Sequence, residues 1–153
     1  MTSLNGARLK ARDTVRRSDA NEIRMALELY YDDHGEYPPS GGTTAVFSNG
    51  VVQPAGWSNS GNASWTTLEG YLSEYLPKLP KDPVNDPLLF RRTYNYYSKD
   101  YGCNQQWYML IYGVESTSEL PDTIATTCSA TVPQLGYADA VTTGDCKSND
   151  CKY

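Results

Sequence analysis

The sequence contains one histidine, two phenylalanines and no cysteine before position 103. It has no proline before Pro38, and its longest apolar run is only Trp107–Tyr112. Each scarcity excludes something. A bilayer-spanning helix needs ~20 apolar residues, and no stretch approaches that. The opening MTSLNGARLKAR lacks the apolar core of an export signal. No Ser-His-Asp, metal-histidine or phosphate-loop pattern is present, so catalysis is not expected. The single His34 falls at the end of a predicted helix, where a side chain able to carry positive charge meets the last carbonyls.

What is abundant is tyrosine, with 13 residues against two phenylalanines. Tyrosine joins a large apolar body to a polar tip, which suits half-buried sheet faces and subunit contacts. The chain has 153 residues, 39% hydrophobic and 20% charged, in the range of one folded domain with a modest core.

Charge is unevenly distributed. Residues 1–24 hold six basic groups (Arg8, Lys10, Arg12, Arg16, Arg17, Arg24) against three acids, a net of +3, whereas the remainder carries −8. A basic helical end on an acidic body suits nucleic acid, an anionic membrane surface or the acidic body of a neighbouring copy. The acidic body would repel a duplex over most of its surface, so nucleic-acid binding is not expected. No small-molecule substrate is indicated.

The four cysteines, Cys103, Cys128, Cys146 and Cys151, all lie in the last third. An even count reads as two disulfides in an oxidising compartment, with three pairings open. Cys103–Cys128 with Cys146–Cys151 is preferred because the last two bound a short polar loop. A four-thiolate zinc site is weaker, since no pair is closer than C-x4-C. Disulfides without an export signal lead to the expectation that a native segment precedes Met1.

Along the chain, a long helix is predicted over Leu4–His34. Ala11, Val15, Ile23, Ala26, Leu27 and Tyr30 form its apolar stripe, thin before residue 20 and dense after it. The first half is therefore expected to project or to pack on something absent. Gly35 supplies the left-handed stop. Residues 39–64 form a polar excursion with a hairpin predicted around Asn49-Gly50. Asn62-Ala63-Ser64 matches a glycosylation pattern that is common by chance. A second helix is predicted over Thr67–Leu76, opened by a Thr66/Glu69 capping box and stopped by Pro77. A proline-stiffened connector follows, then antiparallel strands over Arg92–Ser98 and Gln106–Val114. A further edge strand is expected within Thr123–Ser129 or Gly136–Thr142. The order defines an α+β fold with the helix laid on a small antiparallel sheet.

The segment Ala11–Pro38, with its Ala26-Leu-Glu-Leu-Tyr-Tyr-Asp-Asp-His-Gly-Glu-Tyr-Pro38 end, resembles the stem helix and exit of type IV pilins and type II secretion pseudopilins. Tyr75-Leu-Pro-Lys-Leu-Pro-Lys-Asp-Pro83, Asn85 and Tyr94-Asn-Tyr96 resemble the family's passage into the sheet, and Tyr108–Glu115 its next strand. The resemblance covers residues 4–38 and 66–115. It implies a stem over 1–35 and a globular head over 36–153. The head would comprise a loop and second helix (36–91), antiparallel strands (92–115) and a disulfide-stapled C-terminal region (116–153). It implies a filament subunit at the cell surface, held in the inner membrane before assembly by an apolar helical segment absent from this soluble chain. Its partners would be like subunits and the pilus assembly machinery, and Arg8, Arg12, Arg16 and Arg17 are expected to pair with acids of an adjacent subunit. No cofactor is expected. Asp139, Asp145 and Asp150 are the candidates for calcium, which secretion pseudopilins often bind in a C-terminal loop. The alternatives are a secretion pseudopilin, a minor pilin for adhesion or DNA uptake, and, outside the family, a carbohydrate-binding module stacking sugars on Trp57, Trp65 and Trp107.

Overall fold

The computed structural model describes residues 2–46, 52–53, 55–99, 105–116, 124–125 and 140–147. Helix α1 runs Thr2–His34. Nothing in its sequence interrupts it, because proline is absent and Gly6 is its only glycine. Its stop is the expected one. Gly35 adopts φ 71°, and its N–H donates to the Tyr31 carbonyl at 2.8 Å. His34 Nδ1 lies 2.9 Å from the Tyr30 carbonyl.

The buried face of α1 is Ala20, Ile23, Ala26, Leu27 and Tyr30. The same 3-4 spacing continues towards the N-terminus through Arg16 and Asp13, both buried. This corrects the expected stripe, because Ala11 and Val15 are exposed, Val15 by 46%. The first half of the helix is therefore anchored by charged side chains where apolar ones were sought.

Strands β1 (Ala45–Val46) and β2 (Val52–Gln53) form the expected hairpin. Val46 pairs with Val52, a register centred on position 49. A two-residue Asn49-Gly50 turn would instead pair Val46 with Gln53. Strand β3 (Ser58–Asn59) leads into helix α2, Ala63–Leu72. That helix begins earlier than predicted, because Asn62 is the cap, its Oδ1 accepting from Ser64 N at 2.9 Å. Glu69, released from the predicted capping box, accepts instead from Leu79 N at 2.9 Å.

The main sheet has the order β3-β4-β5-β7-β6, with β4 Asn95–Tyr97, β5 Trp107–Gly113, β6 Ile124–Ala125 and β7 Ala140–Cys146. Strand β7 is not an edge. It pairs antiparallel with β5 along its full length and carries β6 parallel on its other side.

Tyr94, Tyr96, Tyr108, Leu110, Tyr112 and Val114 point to the core shared with α1 and α2. The opposite faces of β4 and β5 are buried too, with Trp57 against Tyr97 at 4.7 Å and Gln53 bonded to Asn95 at 2.9 Å. Several core tyrosines send their hydroxyls to partners at the edge of the core. Tyr94 donates to Asp19 at 2.7 Å, Tyr96 to the Pro38 carbonyl at 2.8 Å, and Tyr37 to Glu28 at 3.1 Å. Tyrosine thus fills apolar volume without leaving those polar tips unsatisfied.

Candidate functional site: a buried arginine–carboxylate cluster

The most distinctive chemistry among the described residues is a cluster where α1, the proline-rich connector and the end of β5 meet. Arg16 lies on the buried stripe of α1 and is fully enclosed. Its Nε and Nη2 grip Asp82 at 2.6 and 3.1 Å, and its Nη1 reaches Asp13 at 2.8 Å and Glu115 at 2.7 Å. Arg12, one turn earlier, holds Glu115 with Nε at 2.7 Å and Nη2 at 2.6 Å. Arg92, in a short 3-10 turn over Phe90–Arg92, approaches Glu115 at 2.5 Å.

Backbone N–H groups fix two of the three carboxylates, Asp82 and Asp13. Asp82 Oδ1 also accepts from Val84 N at 2.8 Å and Asn85 N at 3.2 Å, an Asx turn at Pro83. Asn85 completes that turn at φ 47°, a conformation asparagine tolerates. Asp13 accepts from Glu115 N at 2.9 Å and Ser116 N at 2.8 Å, tying the end of the sheet to the stem.

Three arginines thus meet three carboxylates, and the cluster is neutral as a whole. Fork-on-carboxylate geometry gives these bonds their strength, and burial makes each partner indispensable to the others. The Arg12 hydrogen bonds hold the Glu115 carboxyl down to about 2; burial works against this, and Arg16 and Arg92 assist. For Arg16, burial acts to lower the pKa, but hydrogen bonds to Asp82 and Glu115 overcome it and the shift is upward. Glu115 is ionised throughout the neutral range and holds no proton to exchange. The arrangement is suited to clamping elements together.

Of the residues assigned to a subunit interface, Arg12 and Arg16 are therefore engaged within their own chain. Arg16 has no exposed surface to offer a neighbour. Arg8 is exposed on α1 and Arg17 is half-buried. Sequence patterning overlooked Asp13, Asp82 and Glu115. The signal available was that Asp13 and Arg16 extend the 20-23-27-30 spacing.

The sugar-stacking alternative needs exposed tryptophans. Trp65 and Trp107 have no exposure and Trp57 has 9%, so no indole face is open to a sugar ring. Asp145 sits on β7 opposite Tyr108. Asp139 and Asp150 lie outside the described residues, as do Cys103, Cys128 and Cys151, while Cys146 ends β7 opposite Trp107. Among the described residues no group of three or more His, Cys, Asp or Glu is placed to hold a metal, and no helix is long and apolar enough to cross a membrane. Comparison with known protein families, with curated proteins and with solved structures returns no match.

Proposed function

We propose that this chain is the head and lower stem of a type IV pilin-like filament subunit, with a structural role. The observation that carries the reading is the division of α1. From Asp13 onward its inner face is sealed onto the head, while Leu4, Asn5, Ala7, Arg8 and Lys10 are exposed. A 33-residue helix spans ~50 Å at 1.5 Å per residue, more than this head needs for its core. A projecting stem rigidly clamped to a head is what a helical filament requires, because load on the stem must reach the head without unfolding it. The buried cluster supplies such a clamp at the point where the stem leaves the head.

In this reading the exposed Arg8 pairs with an acid on an adjacent subunit, and an apolar helical segment upstream of Thr2 anchors the subunit before assembly. Cys103–Cys128 and Cys146–Cys151 staple the head outside the cell, and a reductant-dependent mass would verify them. The deciding experiment is to determine the encoded residues upstream of Thr2 and to express that full chain with its assembly machinery. A prepilin cleavage site, an apolar segment and filaments by electron microscopy are expected. An upstream region with neither cleavage site nor apolar helix overturns the reading.

A further inference from the structure

The molecule has two chemically different ends. At one, the C-terminus of α1 meets the start of β5, through Tyr31 to Gln106 at 2.8 Å and Gln106 to the Gly35 carbonyl at 3.0 Å. Exposed Asp32, Asp33 and Glu36 lie there, with Glu74 beside Tyr75, whose hydroxyl donates to Asp33. Lys147 sits among them, paired to Glu28 at 3.0 Å.

At the other end the connector and the end of β5 meet Arg12 and Arg16. Here Arg8, Lys10 and Lys81 are exposed. The same end exposes apolar side chains on the connector, Val84 by 47%, Leu88 by 62% and Leu89 by 37%. The cluster carboxylates do not cancel these cations, because each is already matched by an arginine. Asp86 is the remaining carboxylate of the connector, and its Oδ1 caps Leu88 N at 2.9 Å.

We propose that this end docks on an anionic lipid bilayer surface, with Arg8, Lys10 and Lys81 against headgroup phosphates and Val84, Leu88 and Leu89 entering the headgroup layer. Exposed apolar side chains at the same end as exposed cations match that interface in both respects. A nucleic acid would use the cations and leave the leucines in water. The uneven charge sets the orientation, +3 over residues 1–24 against −8 over the remainder, since an anionic surface repels the acidic end. The inference stands apart from the filament reading, because vesicle binding is measured on the chain alone and filament assembly on the longer one.

The test is sedimentation of this chain with vesicles of phosphatidylglycerol and phosphatidylcholine, against vesicles of phosphatidylcholine alone, at about 0.1 M salt, where the screening length is ~10 Å. Binding is expected only to the anionic vesicles and is expected to weaken as salt rises. Lys81→Glu should lower the partition coefficient by about five-fold or more. Leu88→Ser should lower it by up to about ten-fold. Both positions are exposed, so each variant should keep the thermal midpoint of the parent. Absence of vesicle binding overturns the proposal, as does equal binding to both vesicle types or binding unchanged in both variants. Self-association through these residues without vesicle binding also overturns it, and would assign the end to a second copy of the chain.

Discussion

Arg16 and Asp82 are 66 residues apart in sequence, yet they form a two-pronged ion pair at 2.6 and 3.1 Å with both side chains fully buried. The pair pins the proline-rich connector to the stem helix. Removing one partner strands the other charge in the interior. Arg16→Leu should therefore destabilise the fold by about 3–5 kcal/mol, measured by denaturant unfolding. Arg16→Lys should recover little, because one ammonium cannot reproduce a fork that serves Asp82, Asp13 and Glu115 together. Arg12→Ala, at a partly exposed position, should cost clearly less than Arg16→Leu.

Glu115 makes stability depend on acid. Its carboxyl is depressed from 4.5 to about 2, led by the Arg12 hydrogen bonds. A depressed acid contributes its full stabilisation above the unfolded value and loses it as pH falls through the folded one. The contribution, on the order of 3 kcal/mol, should disappear between about pH 4.5 and pH 2. Asp19 acts with the opposite sign, since burial raises its pKa and protonation favours the fold. Glu115→Gln should flatten the acid limb of a stability–pH curve. An acid limb identical to that of the parent would show that Glu115 does not carry it.

Tyr75 provides an alkaline reporter. The hydrogen bond to Asp33 is the main cause that pushes its phenol up to about 12. In an absorbance titration compared with Tyr75→Phe, this hydroxyl should ionise well after an ordinary tyrosine. Asp33→Asn should bring it back towards 10. Burial raises Tyr96 and Tyr94 as well, so their stabilisation is complete below pH ~10 and is lost as pH rises beyond it.

Gly113 ends β5 directly against the 3-10 turn. A Cβ there would meet the Arg91 carbonyl oxygen at 2.4 Å and its Cα at 2.8 Å. Backbone cannot swing aside as a side-chain tip can, so Gly113→Ala must displace Arg91 and, with it, Arg92 at the cluster. A loss of about 1–3 kcal/mol in denaturant unfolding is expected.

The buried tryptophans predict a silent fluorescence response to sugars. Iodide should quench the folded chain weakly, polysaccharides should leave its emission unchanged, and a red shift should accompany unfolding alone. A saturable, polysaccharide-dependent change would reopen the stacking reading.

Sequence by itself determined the elements whose cause is local. The proline-free run fixed the long helix, Gly35 its stop, and alternation over Trp107–Gly113 the central strand, because helix and strand periods and left-handed glycine are properties of neighbouring residues. The start of α2 differs from the Thr66 start its capping box predicts, because Asn62 caps it and Trp65, in its first turn, is buried in the core. The tertiary structure alone decided the partners. Arg16, expected to meet an adjacent subunit, and Asp13, which patterning overlooked, find their partners only when the connector brings Asp82 and the end of β5 brings Glu115 to them. The gain from burying a charge depends on an opposite charge arriving from elsewhere in the chain, and no periodicity within a helix records that arrival.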